Sequence, residues 1–295
     1  MLTAAPPIDA PTAEAVMARA ATENFSVASR VLPRRARAHL LAVYGFARLV
    51  DELGDAVGPS PAKRLAALDW LQAELERAFA GEAEHPLLIR LGVTVRECRL
   101  TWDPFVRLIE ANRLDQRVSR YQTWAQLREY CSLSADPVGE LVLAIFGLSN
   151  PARIELSNSI CTALQLAEHC QDVGEDFARG RVYLPQDDLV RFAASETDLA
   201  REHASEELRA VLAFEVTRAR ELLVAGTPLI AQLHGRPKLA VAAFVAGGHA
   251  ALDAIVRARY DVLAGPLQAG RGRRALALAV ALRDARGASP GSVTS

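Results

Sequence analysis

The chain has 295 residues, 51% of them hydrophobic, and 34 basic side chains nearly balance 35 acidic ones, for a net charge of −1. That balance leaves no basic footprint for nucleic acid, so no partner of that kind is expected. Cys98, Cys131, Cys161 and Cys170 show no C-x-x-C spacing and no histidine cluster beside them, which argues against zinc and disulfides and for reduced thiols in the cytoplasm.

Pro6, Pro7 and Pro11 mark residues 1–11 as a loose tail, without the basic-then-apolar pattern of a leader. Helical patterning starts near Ala13, breaks around Asn24-Phe25-Ser26, and resumes from Arg34 to about Val57. In that second stretch Tyr44, Arg48, Asp51 and Asp55 follow at spacings that put them on one helix face. Ser60 as N-cap and Pro61 at the first helical position open a helix that runs to Ala80 and ends in Gly81. Helices follow at 86–99, 104–116 (the Asp103-Pro104 pair repeating the cap logic) and 124–133, before a break at Asp136-Pro137 and an apolar helix beyond it.

Asn150-Pro151 then opens a long helix that carries Gln165, Glu168, Asp172 and Asp176 as one stripe, with His169 beside it but off it. Arg179-Gly180-Arg181 and the extended run Val182 to Pro185 end that helix. A short polar helix comes next, then long ones at 205–233 and 237–263, and an amphipathic one at 273–286. Residues 287–295 read as a disordered tail. The basic cluster at 270–274 reads first as a solvated loop, and second as a contact for anionic lipid. No strand alternation or internal repeat appears, and no charge-free apolar run reaches about 18 residues. The expectation is one all-α domain over 12–286 with about ten helices.

Like charges stacked on one helix face repel, so each acidic pair costs stability unless cations or solvent screen it. Roughly four such pairs arise by chance in a chain this acidic, and a solvated helix face accounts for most of them. The alternative is a site for Mg²⁺, which takes oxygen ligands, keeps several waters, and is commonly held by one or two carboxylates plus substrate phosphates. Spacing alone leaves both readings open. Tyr44, Tyr130 and Tyr260 serve equally well as hydrogen-bonded core tyrosines.

Two motifs, DELGD at 51–55 and DVGED at 172–176, the latter preceded by QxxExxQD and followed by GRVYLP, resemble the paired aspartate motifs of the squalene/phytoene synthase family. The resemblance runs from Asn24 to about Leu263. Within the family, ENFSVASRVLPRR (23–35) and YCSLSADPVG (130–139) most resemble its hydroxysqualene-forming, hopanoid branch; condensing members usually carry another turn at Ser134 to Pro137.

The resemblance implies a class I isoprenoid synthase-type helical bundle around a central cavity, with the two acidic motifs facing each other at its mouth. It implies Mg²⁺, several ions bound with a substrate diphosphate, held by Asp51, Asp55, Asp172 and Asp176, with Glu168 as a further oxygen ligand. Arg48, Asn24, Gln165 and Gln171 match positions at the phosphate end, and Tyr44, Tyr130, Tyr183 and Tyr260 match tyrosines near the cavity. Aromatic faces there would stabilise a carbocation as they do other cations.

The implied reaction converts presqualene diphosphate and water to hydroxysqualene and diphosphate. NADPH is not implied, and no nucleotide-binding glycine fingerprint is visible. Transient contact with the inner membrane surface and with neighbouring pathway enzymes follows from the lipid substrate. Glu168 stands where the family often has Asn, and Gln171 where many members have Arg. Two alternatives share the aspartates: a condensing enzyme that joins two prenyl diphosphates, and a non-catalytic helical subunit.

Overall fold

The structure, a computed structural model, describes residues 8, 11–19, 32–265 and 267. Asn24, the cluster at 270–274 and the helix expected at 273–286 lie outside them. The described residues form fourteen helices and one isolated bridge, Arg120 to Val182, with no β-strand among them. They group into two compact units, one of residues up to Val118 with Pro137–Asn150, the other of Ser119–Asp136 with everything from Pro151 onward.

The first unit holds α1 (Ala13–Arg19), α2 (Arg34–Gly54), α3 (Pro61–Ala80), α4 (Pro86–Cys98), α5 (Asp103–Leu114) and nearly all of α7 (Asp136–Ile145). Its core is a continuous cluster in which Phe46, Leu53, Leu71, Leu88, Phe105 and Ile109 are fully buried. Burying each such side chain contributes roughly 1.5–3 kcal/mol relative to exposure. Phe46 and Phe105 meet edge to face, their centroids 5.3 Å apart, which ties α2 to α5. The α3 start follows the sequence expectation, with Ser60 Oγ accepting from the Lys63 N–H at 3.4 Å and Gly81 closing the helix at φ 83°. Asp103 departs from it. Trp102 occupies the N-cap of α5, and Asp103 sits in the first turn paired with Arg107 at 2.8 Å.

The second unit holds α6 (Trp124–Ser134), α8 (Pro151–Gln171), α9 (Val173–Ala178), α10 (Gln186–Arg191), α11 (Glu196–Leu199), α12 (Glu206–Gly226), α13 (Pro228–Ala231) and α14 (Gly235–Arg257). Two glycines let its long helices approach closely. A Cβ on Gly226 would lie 2.7 Å from the Leu156 carbonyl oxygen of α8, and one on Gly248 would lie 2.7 Å from Leu164. The expected helix at 205–233 is two, because Pro228 has no N–H to continue the ladder past Thr227. By length and composition α14 is apolar enough to cross a membrane, but half of its most apolar window is buried inside the protein.

Candidate active site

In the first unit the candidate residues gather at the C-terminal end of α2. The helix stops at Gly54, three residues short of the expected end, and Asp55 is its C-cap at φ −102°, ψ 8°. The Asp55 N–H still donates to the Asp51 carbonyl at 2.8 Å, so the two carboxylates keep their one-turn spacing. Both aspartates are exposed, and Tyr44 and Arg48 are half-buried. Arg48 donates through Nε and Nη2 to Glu52 Oε1 at 3.1 and 2.9 Å. Glu52 sits one helical turn from Arg48 and faces it. It engages the stripe's guanidinium, and any phosphate contact by Arg48 shares that group with Glu52.

Three residues that the sequence reading passed over brace this helix end. Asn112 Nδ2 donates to Asp51 Oδ1 at 3.2 Å, Gln116 Nε2 donates to the Gly54 carbonyl at 3.0 Å, and Arg64 Nε donates to Gln116 Oε1 at 2.7 Å. The signal was present in LIEANRLDQ, where Asn112 and Gln116 stand four apart on one helix face.

In the second unit the acidic stretch is not one helix. It breaks at Asp172, the residue between α8 and α9, at φ −99°, ψ 13°. The ladder passes through the joint nonetheless: the Asp172 N–H donates to Glu168 O at 2.9 Å, and the Asp176 N–H donates to Asp172 O at 2.8 Å. The stripe survives with a bend at its middle carboxylate. Glu168 is exposed, while Gln165, Gln171, Asp172 and Asp176 are half-buried. Burial, and after it the charge of Glu175, pushes the Asp172 carboxyl above its ordinary range, with Arg179 opposing.

His169, beside the stripe, is a core residue in reach of two of its members. Its ring is buried, 3.3 Å from Gln165 Nε2 through Nε2 and 3.9 Å from Asp176 Oδ2 through Nδ1. Burial lowers its pKa to about 3, so the imidazole is neutral. It stacks on Tyr183 with centroids 3.9 Å apart and planes 13° apart, and Tyr130 tilts against both. Tyr121 completes the aromatic group. The parallel bridge between Arg120 and Val182 carries the next residue of each segment, Tyr121 and Tyr183, into a 5.8 Å stack. Tyr260 follows α14 at φ 60°, a conformation that disfavours a bulky side chain, and its N–H donates to Ile255 O at 2.9 Å.

Behind this stretch lies a buried charged node. Arg218 reaches Asp188 Oδ2 at 2.9 Å and Glu215 Oε1 at 2.5 Å, with its guanidinium over the Trp124 and Phe214 rings. Glu215 is fully buried, and burial lifts its carboxyl to about 8 despite Arg218. Burial, and after it the same carboxyl, pushes the Cys170 thiol well up, leaving that thiol inert.

Among the described residues no three His, Cys, Asp or Glu side chains stand close enough to hold a metal ion by themselves. The donors at both helix ends are carboxylates and amides with water access. That chemistry fits Mg²⁺, which takes few protein oxygens and completes its shell with water and phosphate. It does not fit a metal caged wholly by protein.

The comparisons agree with this architecture. A squalene/phytoene synthase family model matches residues 18–277. The solved structure of squalene synthase HpnC from Alicyclobacillus acidocaldarius superposes with a TM-score of 0.76 at 46% identity, over 83% of this chain and 92% of that one. The hydroxysqualene synthase of Sinorhizobium fredii is 35% identical over 216 residues, 72% of this chain and 71% of its own length. The phytoene synthase of Arthrospira platensis is 32% identical over 254 residues, 81% of this chain and 82% of its own. The chain has the isoprenoid synthase helical fold and belongs to the squalene/phytoene synthase family.

Proposed function

We propose that the protein converts presqualene diphosphate and water to hydroxysqualene and diphosphate, with Mg²⁺ and without NADPH. The observation that supports this reading is the 35% identity to the hydroxysqualene synthase over 72% of this chain, with the 46% identity to squalene synthase HpnC beside it. The turn Ser134 to Pro137 supports it as a built feature. Asp136 is 1% exposed, paired with Arg128 at 2.9 Å and accepting from the Thr162 hydroxyl at 2.9 Å.

In this reading Asp51, Asp55, Asp172 and Asp176 hold the metal, and Glu168 adds an oxygen. Magnesium, when bound, offsets the charge that develops on the departing diphosphate. The chain supplies the rest. Gln165 and Gln171 offer amide donors at the phosphate end, and Arg48 offers a guanidinium held in place by Glu52. Tyr183, Tyr130 and the neutral ring of His169 give a carbocation aromatic faces with no opposing charge. Water then adds to the cation, and the proton it sheds leaves with solvent or diphosphate. In this reading the protein works in the cytoplasm, and its lipid substrate brings it into passing contact with the inner membrane surface and with neighbouring pathway enzymes.

The condensing reading shares the four aspartates and is supported by the 32% identity to a phytoene synthase. Parallel incubations with presqualene diphosphate or farnesyl diphosphate, each with Mg²⁺ and no NADPH, separate the two by mass spectrometry. Hydroxysqualene from presqualene diphosphate alone, abolished by chelator, is the expected result. A C30 product from farnesyl diphosphate alone would move the protein to the condensing branch.

A further inference from the structure

We propose that Asn112 is a positioning residue, whose carboxamide fixes the rotation of the Asp51 carboxylate for magnesium. The inference rests on the metal role given to Asp51 above and concerns a residue outside the aspartate motifs. Asn112 is buried at 9% exposure, and its Nδ2 is committed to Asp51 Oδ1 at 3.2 Å and to the Leu108 carbonyl at 3.5 Å. Turning the amide over would set Oδ1 against two acceptors, the Asp51 carboxylate and the Leu108 carbonyl, so Oδ1 stays packed against Gly54. A Cβ added to Gly54 would fall 2.0 Å from that oxygen, far inside contact distance.

The backbone beneath is held as firmly. Gln116 Nε2 bridges the carbonyls of Gly54 and Asn112, each at 3.0 Å, so the end of α2 and the last turn of α5 share one donor. Arg64 fixes Gln116 and also donates to the Pro59 carbonyl at 2.7 Å. The network runs from α3 through α5 to one carboxylate oxygen at the exposed end of α2. An amide suits the position because it donates without adding charge. A carboxylate at 112 would repel Asp51.

Partners that orient a metal ligand typically change metal affinity about 10–100-fold when removed. The test follows the melting temperature of the full chain against Mg²⁺ in the presence of inorganic diphosphate, alongside the Mg²⁺ dependence of turnover. For Asn112→Ala the expected result is an Mg²⁺ midpoint about tenfold higher in both readouts, with kcat largely recovered at saturating metal. Asn112→Asp should shift it at least as far, and Gly54→Ala should shift it in the same direction by displacing the amide. Asn112→Ser serves if the alanine variant fails to fold. On an Asp51→Asn background, Asn112→Ala should add no further shift. Equal midpoints for wild type and Asn112→Ala, with a clear wild-type response, would overturn the inference and leave the metal reading standing. No wild-type response to Mg²⁺ with diphosphate would overturn both.

Discussion

Asp172→Asn is expected to lower turnover by about three orders of magnitude or more while leaving the fold intact. A metal that loses a ligand loses several kcal/mol of charge stabilisation, and each 1.36 kcal/mol is tenfold in rate. The substitution barely changes volume, and it removes a charge that is unfavourable in the free protein. Burial and the neighbouring Glu175 already push this carboxyl toward its neutral form. Melting in chelator should therefore be unchanged or slightly raised, because a neutral amide at the joint between α8 and α9 meets less repulsion. Loss of rate with a lowered melting temperature would point to damage of the joint instead. Near-normal turnover would defeat the metal assignment.

Arg218→Ala is expected to be strongly destabilising. It leaves the Asp188 carboxylate, at 8% side-chain exposure, without its cation, and the fully buried Glu215 carboxyl without its hydrogen-bond donor. Breaking a buried pair by removing one partner costs about 3–5 kcal/mol. Loss of the guanidinium from the Trp124 and Phe214 faces adds to that. At this chain size the melting temperature should fall by about 10 °C. The node also predicts a pH dependence. The folded carboxyl of Glu215 titrates near 8, above its ordinary 4.5, so folding favours the protonated form. Its stabilising contribution is complete below about 4.5 and is lost as pH rises through 8. Glu215→Gln should flatten that decline between pH 5.5 and 8.5 in thermal melts. Parallel curves for the two proteins would show that Glu215 ionises normally.

Helices were legible where turn chemistry punctuates the chain. Ser60-Pro61, Gly81 and Asn150-Pro151 set boundaries that the structure reproduces, because caps and proline act over three or four residues. The bend at Asp172 was not legible. Val173-Gly174 carries no strong helix stop, and the ladder runs on through Asp172 although that residue leaves helical angles. That His169 is buried against the stripe was not legible either. The bend and the tyrosine group beneath it decide where the ring goes, and two of its three tyrosines, Tyr121 and Tyr130, come from an earlier part of the chain. The Arg48–Glu52 pair was legible in principle, since helix spacing places Glu52 a turn from Arg48 as surely as it places Asp51 near Asp55. Asn112, Gln116 and Arg64 come from two other helical segments, and their convergence on α2 exists only in the folded unit.

The proposed reaction is tested most directly by turning over presqualene diphosphate in H₂¹⁸O with Mg²⁺ and no NADPH. The account predicts one diphosphate released per substrate consumed, and an alcohol whose oxygen carries the label. An unlabelled alcohol, or a hydrocarbon formed without water, would contradict it.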